Sequence, residues 1–304
     1  MTSFGISTDV SLAASVLLGG GIVGMPTETV YGLAALALNE DAVHRVFDTK
    51  GRPRNHPLIV HLSKESDISQ WGVFNDTARA LAAAFWPGPL TLLVPRTTHV
   101  PDWVTGGRDT VAIRIPRHVI AQELLSLVND GVVAPSANRF GKVSPTTAQH
   151  VQKDLGGDVD FILDGGPSAV GVESTIVECT DVFQILRPGE ISKDDIVRIS
   201  GLTPGNTSGP SRASGMLESH YAPDVKILIT ETQQDAQQAS DLLPQNTKHR
   251  ILFYESNSDY AENLYRELRR ADEDQLDLLI SVRANQTGLG AAINDRLAKA
   301  AAQR

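Results

Sequence analysis

Residues 26–33 read PTETVYGL and residues 50–61 read KGRPRNHPLIVH. Between them Glu40–Thr49 is a helix-like segment with Val43, Val46 and Phe47 on one face. Thr27 and Thr29 set two hydroxyls at the end of the apolar run GIVGMP. Lys50, Arg52 and Arg54 follow the helix, and Pro53 and Pro57 stiffen the segment that leads into LIVH and ends at His61. Pre-ordered cations lose less entropy when a phosphate arrives. Arginine offers phosphate a planar fork and lysine a point charge. Hydroxyls, fixed cations and a histidine at strand ends make a site for an anion carrying both phosphate and carboxylate. None of these groups is needed to build a core.

Outward from this stretch, strands and helices alternate, but not strictly. The patterning predicts helices over 8–19 with Thr8 or Asp9 as cap, over 76–85 before Trp86-Pro87-Gly88-Pro89, and over 118–129. A further helix is expected over 145–155, opened by Ser144 with Pro145 at its first position. GIVGMP, LIVHL, LTLLVP, TVAIRIP, VVAPSAN, FILDGG, STIVEC and FQILRPG read as strands, with a loop between LTLLVP and TVAIRIP. Several consecutive strands read as antiparallel, so the expected fold is α/β with a twisted mixed sheet. At residue 201 the composition changes to GLTPGNTSGPSRASGM, a linker. KILIT, a polar helix, RILFYES, the helix Tyr260–Arg270, DLLISV and the helix Gly290–Ala301 then form a small parallel, Rossmann-like α/β unit. The expected division is 1–200, a linker or lid over 201–224, and 225–304.

The chain has 304 residues and a net charge of −9. The length fits two domains, or one large one. The acidic balance argues against a protein whose main task is to coat nucleic acid, while leaving room for a local basic pocket. Cys179 is the single cysteine, so no disulfide or cysteine knuckle can form within one chain, and a reducing compartment fits. MTSFGISTDV lacks the pattern of a signal peptide, and no run approaches the ~18 apolar residues of a membrane span. The expectation is a cytoplasmic protein with no membrane contact.

Arg114 lies inside the alternation TVAIRIP, on the face shared by Thr110 and Ala112, opposite Val111, Ile113 and Ile115. A buried arginine needs an internal acid or a ligand carboxylate. Ser136 and Asn138 lie in a turn after an apolar strand, where polar side chains reach a cleft at strand ends. Ser144-Pro145-Thr146 opens the next predicted helix, whose N–H groups favour an anion. Ser174, Thr175 and Arg187 add hydroxyls and a cation near strand ends. His61 reads as a hydrogen-bonded core residue or a ligand contact, His56 as a loop residue, and His220-Tyr221 as a hinge anchor or part of a lid. Gly19-Gly20-Gly21 reads as a helix stop, and no GxxxxGK[ST] loop is present. No Ser/His/Asp spacing or HExxH points to a covalent nucleophile or a zinc site. What remains suits positioning and electrostatic catalysis of phosphoryl or adenylyl transfer.

PTETVYGL, KGRPRNHPLIVH, TVAIRIP, APSAN, SPTTA, ESTIV and LRPG stand in the order and spacing of the YrdC-like domain of L-threonylcarbamoyl-AMP synthases. SGMLESHYAPD and GLGAAINDRLAKAA resemble the linker and small C-terminal domain of the long type of that family. The resemblance implies that L-threonine, bicarbonate and ATP give threonylcarbamoyl-AMP and pyrophosphate. A transferase partner then passes the threonylcarbamoyl group to an adenosine beside the tRNA anticodon. It implies threonine contacts at Thr29, His61, Arg114, Ser136 and Ser174, with Arg114 on the carboxylate. It implies ATP contacts at Lys50, Arg52, His56, Thr110, Asn138, Thr146, Arg187 and Tyr221, with Lys50 and Arg52 the favoured electrostatic groups. His56 departs from the lysine or asparagine expected in this loop. Mg²⁺ is expected to arrive with the phosphates, without a dedicated protein cage. Residues 225–304 are expected to position the linker over the nucleotide. Two competing readings are a carbamoyl-adenylate chemistry of hydrogenase maturation or antibiotic carbamoylation, and a noncatalytic RNA-binding module with weak RNA contact. The small second domain disfavours the first, and the acidity and lack of interleaved aromatics disfavour the second.

Overall fold

The computed structural model of the chain describes residues 5–205 and 221–302. Its strands are β1 (Ile6–Ser7), β2 (Val23–Met25), β3 (Gly32–Leu36), β4 (Ile59–His61), β5 (Leu90–Pro95), β6 (Thr110–Arg114), β7 (Val132–Val133), β8 (Phe161–Leu163), β9 (Thr175–Cys179), β10 (Phe183–Arg187), β11 (Lys226–Thr230), β12 (His249–Leu252) and β13 (Leu278–Val282). Its helices are α1 (Val10–Leu18), α2 (Glu40–Lys50), α3 (Asp76–Phe85), α4 (Asp102–Thr105), α5 (Val119–Val128), α6 (Ala148–Leu155), α7 (Lys193–Ser200), α8 (Gln233–Asp241), α9 (Asn257–Glu273) and α10 (Gly290–Ala301).

Asp9, Asn39, Asn75 and Ser192 each cap a helix by accepting a hydrogen bond from the backbone N–H three residues on. One expected helix start is corrected. α6 begins at Ala148 with Thr147 as its cap, not at Pro145 behind Ser144. The Ser144 hydroxyl instead donates to Glu173 at 2.7 Å in the interior. Helix α4 occupies part of the loop expected between β5 and β6, and β1, β3 and α7 add to the expected elements.

The large sheet runs β1-β8-β2-β3-β7-β4-β6-β5-β9-β10, and the small one β11-β13-β12. In the large sheet the pairs β4/β6 and β5/β9 are parallel, while β2/β3, β3/β7, β4/β7, β5/β6 and β9/β10 are antiparallel. It is therefore a mixed sheet, and the small one is wholly parallel.

Side chains alternate between the two faces of the large sheet. Leu33, Ala35, Val60, Ile113 and Val133 bury one face with Val46 and Phe47 of α2 and Leu81 of α3. Ala34, Val132 and Ala134 bury part of the other face with Leu17 of α1 and Leu124 of α5. The rest of that second face is a separate apolar cluster of Ile59, Leu93, Ala112, Ile176 and Leu186. His61 and Arg114 lie two residues beyond Ile59 and Ala112 and pair with each other in register, so they extend this face to the strand ends.

In the small unit Tyr260, Leu264 and Leu268 recur at helical spacing along α9 and pack with Ile293 and Leu297 of α10. The same core takes in Val30, Val143, Val170 and Val172 from the first part of the chain, together with Tyr221. The two parts therefore share one buried apolar surface. Among the described residues no helix is long and apolar enough to cross a membrane.

Candidate functional site

Thr29, Lys50, Arg52, His61, Arg114, Ser136, Asn138, Ser174, Arg187 and Tyr221 line one cavity, and Thr27, Phe140 and Glu173 line it with them. His56, Thr110 and Thr146 are not part of that lining. The His56 ring lies 5.6 Å from that of Phe140, which does line the cavity. Thr110 starts β6 opposite Pro95. Thr146 is buried, with its hydroxyl 3.4 Å from His150 Nδ1. His220 and most of the expected linker lie outside the described residues.

Arg114 is buried at the end of β6. Its Nη1 donates to Thr29 Oγ1 at 2.8 Å, its Nε to the Gly88 carbonyl at 3.3 Å, and its Nη2 lies 2.8 Å from Glu28 Oε1. A buried arginine calls for an acid or a ligand, and Glu28 supplies the acid. Burial pushes the Glu28 carboxyl up, but the Arg114 guanidinium outweighs it and holds the carboxyl below its ordinary range. Thr27 shapes the turn that carries Glu28 and Thr29. Its hydroxyl donates to the Val30 carbonyl at 2.6 Å and accepts from the N–H groups of Thr29 and Val30. His61 Nδ1 sits 3.1 Å from the Ile59 carbonyl, which assigns the ring proton to Nδ1. Burial, helped by Arg114, pushes the His61 pKa down to about 3, so the imidazole is neutral at physiological pH.

The other cations are also built in. Lys50 ends α2, where its Nζ donates to the carbonyls of Ser136 and, at 2.6 Å, of Asn138. This ties the helix to the PSAN turn. Asn138 Nδ2 in turn donates to the carbonyls of Arg139 and Lys142. Burial, followed by the charge of Arg52, drives the Lys50 pKa well below its ordinary value. Arg52 Nη2 donates to the Pro57 carbonyl at 3.0 Å. Burial lowers its pKa to about 10, with Tyr221 opposing and Arg187 assisting. Arg187 donates from Nε to the Ser174 carbonyl and from Nη2 to Ser174 Oγ, each at 3.0 Å. Ser174 Oγ also lies 2.7 Å from Thr91 Oγ1. Gly189 admits this arrangement, since a Cβ there would stand 2.3 Å from the Thr175 nitrogen. Arg54, the third cation of the first cluster, is exposed and bound to Asp48.

Glu173 is the one acidic side chain in the cavity lining among the described residues. Its Oε1 accepts from Ser144, and its Oε2 accepts from Tyr265 Oη at 2.8 Å and Arg296 Nε at 2.9 Å. Burial raises its carboxyl, but Arg296 and then Arg187 override this and bring the pKa to about 2. Tyr221 is buried with a positive φ of 61°, and the Ala222 N–H after it donates to the Gly141 carbonyl at 3.0 Å. Glu28, Glu173, Thr91 and Phe140 are the site and supporting residues missed from sequence. Glu28, between two threonines in PTETV, was legible as a partner for the buried arginine. Glu173 and Thr91 had no comparable local signal.

Chemically, a guanidinium among hydroxyls can hold a carboxylate in a bidentate way. Buried cations that depress one another's pKa gain most from an anion that neutralises them. No three His, Cys, Asp or Glu side chains gather as a metal-holding group among the described residues.

The family model Sua5–YciO–YrdC, described as telomere recombination, matches residues 15–189. A second model, the threonylcarbamoyl-AMP synthase C-terminal domain, matches residues 183–302. The chain is 37% identical over 321 residues to the threonylcarbamoyl-AMP synthase of Pyrococcus abyssi, covering 97% of this chain and 94% of that one. It is 38% identical over 330 residues to the Bacillus subtilis threonylcarbamoyl-AMP synthase, covering 97% and 93%. The crystal structure of Pyrococcus abyssi Sua5 complexed with L-threonine superposes with a TM-score of 0.90 at 35% identity, covering 96% of this chain and 94% of that one.

Proposed function

Because the chain belongs to the threonylcarbamoyl-AMP synthase family, we propose that its cleft joins L-threonine, bicarbonate and ATP into threonylcarbamoyl-AMP and pyrophosphate. The observation that carries this reading is the single cavity that gathers Arg114, Thr29 and Ser136 with Lys50, Arg52 and Arg187. That set matches a substrate pair with one carboxylate and a polyphosphate.

In this reading Arg114 clamps the threonine carboxylate, and Thr29, Ser136, Ser174 and His61 surround the amino acid. Lys50, Arg52, Asn138, Arg187 and Tyr221 hold ATP. His56, Thr110 and Thr146 remain proposed contacts of the part of ATP that the cavity does not hold. Free threonine amine is mostly protonated at neutral pH. Its neutral fraction combines with bicarbonate, losing water, to give the carbamate. A carbamate oxygen then attacks the α-phosphorus of ATP. The bond from that phosphorus to the bridging oxygen breaks, and pyrophosphate leaves with the electron pair. The cations stabilise charge that builds on the phosphate oxygens. His61, neutral at this pH, adds no positive charge beside the threonine ammonium. Mg²⁺ enters as part of the substrate, on the phosphates.

We extend the proposal to a catalytic unit of residues 1–200, a linker over 201–224 and a small unit over 225–304, acting in the cytoplasm. The product is consumed by a transferase that modifies tRNA beside the anticodon. The test is to supply carbon-13 bicarbonate with L-threonine and ATP and to weigh the acid-labile product. A threonine- and AMP-containing species that gains the isotope supports the reading. A product without the label overturns it.

A further inference from the structure

Arg296 lies on the last helix and is fully buried. Its Nε stands 2.9 Å from Glu173 Oε2 and its Nη1 2.7 Å from Asp295 Oδ2. The centre of its guanidinium is 5.4 Å from the Tyr221 ring centroid. Tyr265 donates to the same Glu173 oxygen, and its ring stacks on Tyr221 at 5.6 Å and 28°. Two residues of the small unit therefore hold two residues of the cavity wall.

A carboxylate in the wall of an anion site is a problem of charge. Glu173 shares its cavity with Arg52 and Arg187, and the next residue, Ser174, accepts two hydrogen bonds from Arg187. Left uncompensated, the Glu173 charge would repel phosphate and compete for these cations. Ser144 takes one of its oxygens, and Tyr265 and Arg296 take the other. Core packing alone does not call for this arrangement, since apolar residues commonly replace a buried ion pair without loss of stability. Tyr221 also holds a left-handed backbone that is unusual for a bulky residue, and its ring contacts to Tyr265 and Arg296 stabilise it there.

We infer that Arg296, with Tyr265, is a positioning residue for the nucleotide side of the cleft: it neutralises Glu173 and seats Tyr221 beside the phosphate-binding cations. The inference rests on the reading of the cavity as the ATP site and assigns the small unit a direct part in nucleotide affinity.

The test is calorimetry on the full chain, with MgATP and L-threonine titrated separately. Arg296→Gln is expected to weaken MgATP about tenfold, the scale of one hydrogen bond to a charged group. The affinity for threonine is expected to stay within about twofold. A second substitution, Glu173→Gln, is expected to restore most of the MgATP affinity by removing the exposed charge. Tyr265→Phe removes one hydroxyl and is expected to weaken MgATP about threefold, which keeps the test open if Arg296→Gln does not fold. Equal losses for both ligands, no loss in either variant, or a double variant no better than Arg296→Gln would overturn the inference. A wild-type chain that binds threonine but not MgATP would overturn the ATP-site reading itself. Wild-type binding of both ligands with unchanged variants would sink the inference alone.

Discussion

Glu28 Oε1 and Arg114 Nη2 face each other at 2.8 Å in the interior, between a turn shaped by Thr27 and the end of β6. The pair fixes the guanidinium before any substrate arrives. Removing the acid leaves a buried charge without compensation. Glu28→Ala is therefore expected to destabilise the fold by about 3–5 kcal/mol, read from urea unfolding. Glu28→Gln keeps an acceptor for the guanidinium and is expected to cost less. A Glu28→Ala chain as stable as the parent would show that the pair has no structural weight.

Arg114→Lys keeps the positive charge but loses the planar fork held between Thr29 and Glu28. The expected result is a rise of at least about tenfold in KM for threonine, the scale of one charge-assisted contact, with KM for ATP little changed. Steady-state kinetics with each substrate varied in turn checks this. An equal rise in both constants would place Arg114 outside the threonine side.

Much of the fold was legible because its elements are punctuated. α3 ends where Trp86-Pro87-Gly88-Pro89 begins, and α10 runs from Gly290 to Ala301 as its pattern predicts. The alternation in TVAIRIP places Val111 and Ile113 in one core and Ala112 in another, with Arg114 on the second face. The start of α6 misled because Ser-Pro is a common helix opening, and nothing local reveals that Ser144 serves a glutamate 29 positions away. β3 carries no local signal, because VYGLAAL is apolar throughout and shows no period. The cavity lining was largely readable as hydroxyls and cations at strand ends. Glu28 was readable as the acid beside them, but Glu173 was not, since it meets Arg296 across 123 positions.

The pH dependence of stability follows from His61. Its folded pKa, about 3, lies below the ordinary value of 6.5. The unfolded chain takes up a proton as pH falls below 6.5, while the folded chain does so only near 3. The unfolded state thus binds more protons in that window, and stability falls as pH drops. The expected slope is ~1.4 kcal/mol per pH unit for this group. His150, pushed down to about 4 by burial, adds to the loss in the same direction. Urea unfolding between pH 7 and 4.5 should show the decline, and His61→Asn should flatten it. An unchanged slope in that variant would mean that His61 is protonated in the fold.

Cys179 is buried in β9, and burial pushes its thiol up to about 12. The native chain is expected to resist a thiolate-directed reagent at neutral pH and to react fully once unfolded in urea. Prompt labelling of the folded chain would contradict the burial of this strand.

The most direct measurement is pyrophosphate release from ATP, with L-threonine and bicarbonate each left out in turn. The account predicts release only when both are present, because the carbamate is the nucleophile. Release without threonine would mean that another group attacks the α-phosphate. No release under any condition, together with salt-sensitive RNA binding, would contradict adenylation and return the cleft to the reading of an RNA module.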